Sequence, residues 1–240
     1  MRLRSMVAAG SVSLALLAAG CGRMPVYPMA KYVPPDQVVD FHTLYNTNCQ
    51  ACHGPSGENG PAIDLANPEY QALVDDATLR NIVANGMPGT EMPAWAQSAG
   101  GMLTDAQVDA IVAGMRKEWQ KPNPFQGATP PPFAQPTPAD AKATAGDVQQ
   151  GQQLYQVHCE SCHTGPARQQ LTSPIYLALI SDQALRSIII AGRPDIGQPD
   201  WRHDNGQLSP QDVTSIVAYL GSLRTSSTIS APAVPLSSRR

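Results

Sequence analysis

The chain has 240 residues, of which 42% are hydrophobic, 15% charged and 5% aromatic, with a formal charge of −3. That acidic balance argues against nucleic acid as a partner. Beyond the first 20 residues no apolar run approaches the ~20 residues of a membrane span.

Residues 1–20 combine Arg2 and Arg4 with an apolar run from Met6 to Ala19. This is the charged and apolar layout of a secretory signal. The stretch Leu16-Leu17-Ala18-Ala19-Gly20-Cys21 resembles a bacterial lipobox, although Ala18 stands where a leucine is expected and Leu17 lies one further back. The resemblance implies lipidation of Cys21 and a chain held on the periplasmic or extracytoplasmic side of a bacterial membrane. The alternative is an ordinary signal peptide with an incidental cysteine. Of five cysteines, four fall in the motifs below and Cys21 is left over; acylation gives that spare thiol a role. Loss of Arg2 and Arg4 leaves 14 basic against 19 acidic residues, a net of −5. A basic docking surface on the partner follows. Residues 21–37 lack periodicity and read as a tether.

The first globular unit spans 38–120 and the second 147–224. Between them, 121–146 contains seven prolines, among them Pro122, Pro124, Pro130, Pro131 and Pro132. Such a segment is expected to be an extended, semi-stiff spacer. The tail at 225–240 is rich in Ser, Thr, Ala and Pro and is expected to be mobile.

Each unit carries Cys-x-x-Cys-His: Cys49 to His53, and Cys159 to His163. That spacing is the attachment signature of a c-type haem. Both thiols form thioethers with the vinyl groups, and the histidine becomes the proximal iron ligand. Zinc and a thiol redox centre are the competitors. A shared zinc site would need the two Cys pairs ~15–20 residues apart, whereas 106 residues separate Cys52 from Cys159. A thioredoxin-like centre needs a βαβ context, and no strand pattern surrounds either motif.

The units repeat one another. Asp64–Gly86 aligns without gaps on Gln170–Gly192, pairing Pro68 with Pro174, Tyr70 with Tyr176, Arg80 with Arg186 and Gly86 with Gly192. Val108, Ile111, Val112 and Met115 follow a one-sided helical period, as do Val213, Ile216, Val217 and Leu220. Thr104 and Ser209 are the expected N-caps, with Pro210 suited to the first helical position. An all-α fold follows, with a helix entering each motif, a middle helix and a C-terminal helix. Units of ~80 residues have a marginal core of their own. A buried haem would complete it.

These residues resemble tandem class I c-type cytochromes across most of the chain after the signal. The resemblance implies two small helical wraps, each around one haem c, and a distal methionine in a Met-Pro turn. Met92, in Met92-Pro93-Ala94-Trp95, fits that turn, with Met87 before Pro88 as second choice. In the second unit Gln198 stands where Met92 stands, and no methionine is present. Its distal ligand is Gln198 or water, or else His203 if the loop bends. The resemblance also implies that the Pro61 carbonyl accepts the ring N–H of His53. Tyr45, Tyr70, Tyr155, Tyr176, Trp95 and Trp201 are placed on haem edges or propionates, with plain core packing as the alternative. Arg80 and Arg186 either balance propionates or lie on solvated helix faces. His42 and His158 are expected at the surface.

The function implied is electron transfer by a membrane-anchored dihaem cytochrome, not catalysis. Its expected partners are a quinol-oxidising complex, a terminal oxidase or a dehydrogenase in a respiratory chain. A peroxidase-like or gas-binding protein using an open second haem is the alternative.

Overall fold

The computed structural model describes residues 32–134, 145–164, 171–202 and 207–224. Cys21, His203 and the tail at 225–240 lie outside the described residues. Those described fall into two compact units that divide after Pro35. No helix among them is long and apolar enough to cross a membrane.

From residue 36 onward the described chain is all-α and builds two similar bundles around two cores. The first contains α1 (Phe41–Asn48), α2 (Gln50–His53), α3 (Pro68–Leu73), α4 (Asp76–Asn85) and α5 (Asp105–Trp119). The second contains α6 (Ala145–His158), α7 (Glu160–His163), α8 (Pro174–Leu179), α9 (Asp182–Ala191) and α10 (Pro210–Ser222). The short helices α3 and α8 are additions to the three per unit expected from periodicity. Each starts with proline at its first turn, behind Asn67 and Ser173.

Start signals in the sequence explain the boundaries. Asp40 caps α1 by accepting from Thr43 N at 2.8 Å. Gln150 stands at the matching place in the repeat, where α6 simply continues and starts upstream, at Ala145. Thr104 and Ser209 both form complete capping boxes, with Gln107 and Asp212.

In each bundle the first and last helices cross at a close contact. A Cβ on Gly114 of α5 would come within 2.1 Å of the Phe41 ring. A Cβ on Gly151 of α6 would come within 1.9 Å of the Ser215 carbonyl and 2.8 Å of Tyr219. Gly151 is the repeat equivalent of Phe41, and Tyr219 that of Gly114. The crossing therefore keeps one aromatic and one glycine but swaps the helices that carry them. Combined volume is conserved, which is what close packing demands.

A second shared device lies off the repeat register. Arg116 donates to the Gln71 carbonyl, to Val74 O at 2.6 Å and to Asp76 at 2.7 Å. Arg224 donates to Leu177 O at 2.9 Å, to Ile180 O at 2.7 Å and to Asp182. The three acceptors match one for one; the arginines do not, since Gly221 aligns with Arg116. Each guanidinium satisfies carbonyls left open where α3 or α8 ends. Arg116→Met should destabilise the holoprotein by about 3 kcal/mol, because it strands buried acceptors of a charged donor. Among the described residues Arg80 bonds only Asp105 and Asp109, at the surface, so Arg80→Met should have little effect. Urea unfolding of both variants checks this, and equal losses would contradict it.

The segment after α5 departs from the expected free spacer. Residues 122–127 form turns, and Phe125 packs edge-on against Trp201 at 5.5 Å. Arg202 donates to Phe125 O, Arg186 to Pro132 O and Gln183 to Phe133 O, at 2.8, 2.8 and 2.7 Å. Residues 121–134 are thus a strap bonded to the second bundle. Arg186 is 1% exposed, so its expected place on a solvated face gives way to anchoring this strap.

Candidate functional site: paired cysteine–histidine turns

Both motifs adopt the same backbone. Cys49 ends α1 and starts α2 with φ −116° and ψ −36°; Cys159 does the same between α6 and α7 with φ −120° and ψ −39°. The amide of each histidine donates to the first cysteine's carbonyl at 3.0 Å. One helical turn therefore presents two thiols and an imidazole together. Cys49 and Cys159 are half-buried, Cys52 and Cys162 exposed.

Burial pushes the Cys49 and Cys159 thiols up to about 11. Thiol–disulfide enzymes need the opposite, a thiol pushed down to the thiolate. Among the described residues no three His, Cys, Asp or Glu side chains gather to hold a metal ion. The half-buried thiols thus lack the thiolate character that a thiol-redox centre uses.

His53 is 8% exposed, and its Nδ1 lies 2.9 Å from the Ile63 carbonyl. A carbonyl can only accept, so Nδ1 carries the proton and Nε2 keeps its lone pair. This arrangement orients a neutral imidazole as a metal ligand. Burial and the neighbouring Arg193 lower its pKa, opposed by the bond to Ile63. The expected acceptor was Pro61; the loop instead turns so that Ala62 N bonds Cys52 O at 2.9 Å and Ile63 O meets the ring. His163 is half-buried in the equivalent turn.

The distal loops also correspond. Met87 N donates to Met92 O at 3.0 Å, and Arg193 N to Gln198 O at 2.9 Å. Gly86 (φ +69°) and Gly192 (φ +72°) support them; a Cβ there would lie 2.6 Å from Met92 O and 2.9 Å from Gln198 O. Only glycine suits that φ and that contact. Gln198 therefore occupies the place of Met92, and Arg193 that of Met87. The Gln198 amide nitrogen donates to Ile188 O over 3.4 Å, a stretched bond. Met87 and Met92 are both half-buried.

These residues fit a covalently attached haem. The thiols and the Nε2 lone pair are the donor set such a group needs. Trp201 is 1% exposed and its Nε1–H has no partner among the described residues, an orphan suited to a propionate. Tyr45 is otherwise employed: its hydroxyl donates to Gly54 O at 2.8 Å and its ring packs on Trp119.

The family described as cytochrome C oxidase, cbb3-type, subunit III matches residues 36–113 and 146–220. The chain belongs to this family. It is a c-type cytochrome with covalent haem c, its matched segments covering both motifs. No curated protein matches the chain. Among solved structures, a reducing HAO-like protein complex from Kuenenia stuttgartiensis matches at 17% identity and a TM-score of 0.48, covering 83% of this chain and 100% of that one.

Several residues of this cytochrome's site were not visible in its sequence. Asn67 caps α3 with its side-chain oxygen while its nitrogen donates to Ala191 O and Gly192 O at 2.8 and 3.2 Å. Arg202 reaches Glu69 at 3.3 Å, and Arg193 reaches Gly60 and Ala62. All join the first bundle, at its motif loop or the start of α3, to the second bundle from the end of α9 through its distal loop, pairings for which one repeat offers no template in the other.

Asp64 sits at this junction, 3% exposed, with Oδ1 lacking a partner among the described residues. Burial first, then Asp195, pushes its carboxyl up to about 6. The folded state therefore binds more protons than the unfolded chain between pH ~4 and ~6. Stability should fall as pH rises through that window and level off above it. Asp64→Asn should be the more stable protein at pH 7 by on the order of 2 kcal/mol, with the gain vanishing below pH ~4. Urea melts at both pH values check this; a pH-independent difference would contradict it.

Proposed function

We propose that this cytochrome is a dihaem electron carrier rather than an enzyme. The first bundle spans 38–120, the second 147–224, with 121–146 joining them. Cys21 is lipidated after removal of 1–20, and 21–37 tethers the protein to the extracytoplasmic side of a bacterial membrane. It works within or beside a respiratory complex, exchanging electrons with a quinol-oxidising complex, a terminal oxidase or a dehydrogenase. The family's description supports the oxidase setting. The observation that carries the reading is the pair of matching cysteine–histidine turns in two bundles.

Bound haem supplies reversible one-electron exchange between ferric and ferrous iron. The chain's part is to hold it and set its potential. Cys49, Cys52, His53 and Met92 would hold one group; Cys159, Cys162 and His163 would hold the other. The Met92 thioether favours the ferrous state. Gln198 brings at most an amide oxygen, which does not, and His203 is the competing ligand. Two unequal sites result, the higher in potential on the first bundle.

A potentiometric titration tests this, with two separated one-electron waves expected. Two coincident high-potential waves would overturn the ligand assignment. The stretched Gln198 bond favours one second reading, a labile distal position that binds small gases or peroxide. Stoichiometric carbon monoxide binding at neutral pH would support it.

A further inference from the structure

The strongest unused feature is a buried ion pair where the two bundles meet. Arg193 is 6% exposed, and the Asp195 side chain is fully buried. Arg193 Nε and Nη2 donate to the two Asp195 oxygens at 2.9 and 2.7 Å. The remaining donors cross to the first bundle, Nη1 to Ala62 O at 2.8 Å and Nη2 to Gly60 O at 3.0 Å. Asp195 also crosses, accepting from Asn59 N at 2.8 Å. Three points of the 59–62 loop are thus held by the other bundle.

That loop is the support of the His53 turn. Ala62 N bonds the Cys52 carbonyl, and the next carbonyl along, Ile63 O, bonds His53 Nδ1. Arg193 therefore grips the backbone one residue from the group that orients the imidazole. Arginine suits the task because its planar fork reaches a carboxylate and two carbonyls at once. Methionine, its repeat equivalent at position 87, offers no donor.

We propose that Arg193, with Asp195, is a positioning residue for the iron site of the other bundle: it fixes the loop that orients His53 and sets the charge felt there. This rests on the reading of His53 as an iron ligand. The pair is electrically neutral as built. Removing Arg193 leaves a buried negative charge, which favours the ferric state. Removing the charge of Asp195 leaves a buried positive one, which favours the ferrous state. A clamp that acted only by holding the fold would shift the potential the same way in both variants, since both weaken it.

The test is potentiometry of the holoprotein as wild type, Arg193→Gln and Asp195→Asn, with haem adducts counted by peptide mass. The first-site midpoint should fall in Arg193→Gln and rise in Asp195→Asn, while the second-site midpoint moves less. Shifts of the same sign, or none, overturn the proposal. If Arg193→Gln does not assemble, Asp195→Asn decides: a rise supports it, a fall or no change refutes it. Wild-type protein with no haem on Cys49 and Cys52 would overturn the His53 reading itself, and the proposal with it. Intact adducts with unmoved potentials would overturn the proposal alone.

Discussion

Replacing Met92 with alanine should abolish the near-infrared sulfur–iron charge-transfer band and drop the higher of the two midpoint potentials. Axial ligation moves haem potentials over about 0.8 V. Loss of one thioether should cost on the order of 0.1–0.3 V of that range. The second wave should stay in place. Met87→Ala is the control. The Met87 role visible in the structure is a backbone one, its N–H closing the turn on Met92 O at 3.0 Å. Alanine keeps that N–H, so the band should survive. Loss of the band in Met87→Ala and its persistence in Met92→Ala would reverse the assignment.

Gln198→Met should do the converse and create a second band, with the lower potential rising toward the first. The argument rests on Gly192. A Cβ there would meet Gln198 O and Pro199 C at 2.9 and 2.8 Å, just as one on Gly86 would meet Met92 O and Pro93 C, each at 2.6 Å. The two loops therefore return to their glycine in the same register. Little stability is at stake, because the Gln198 side chain gives up only a 3.4 Å bond to Ile188 O. If His203 holds the second iron, Gln198→Met will leave the spectrum unchanged and His203→Ala will alter it.

Much of this was legible in the chain. Thr104 and Ser209 announced the last helices, because a hydroxyl before an apolar period satisfies open amides whatever surrounds it. The Cys-x-x-Cys-His turns were equally local, since five residues are enough to place two thiols and a ring on one helical turn. The repeat carried the distal loop, where Gly86 and Gly192 mark the only backbone that fits. What escaped was tertiary. Arg80 and Arg186 align in sequence, yet one lies at the surface with Asp105 and Asp109 while the other anchors the strap through Pro132 O. Arg116 and Arg224 do not align, yet they bond equivalent carbonyls. A long flexible side chain reaches its acceptor from several positions, so its role is set by packing rather than by register. The Arg193 junction was hidden for another reason. It joins unlike parts of the two repeats, and self-comparison finds only like parts. Pro61 stood in for Ile63 because a loop's hydrogen bonds depend on its turns, which motif spacing does not fix.

Peptide mass mapping of the holoprotein bears most directly on all of this. Two haem adducts per chain are predicted, one bridging Cys49 and Cys52 and the other Cys159 and Cys162. A chain carrying unmodified thiols at either motif would contradict the account.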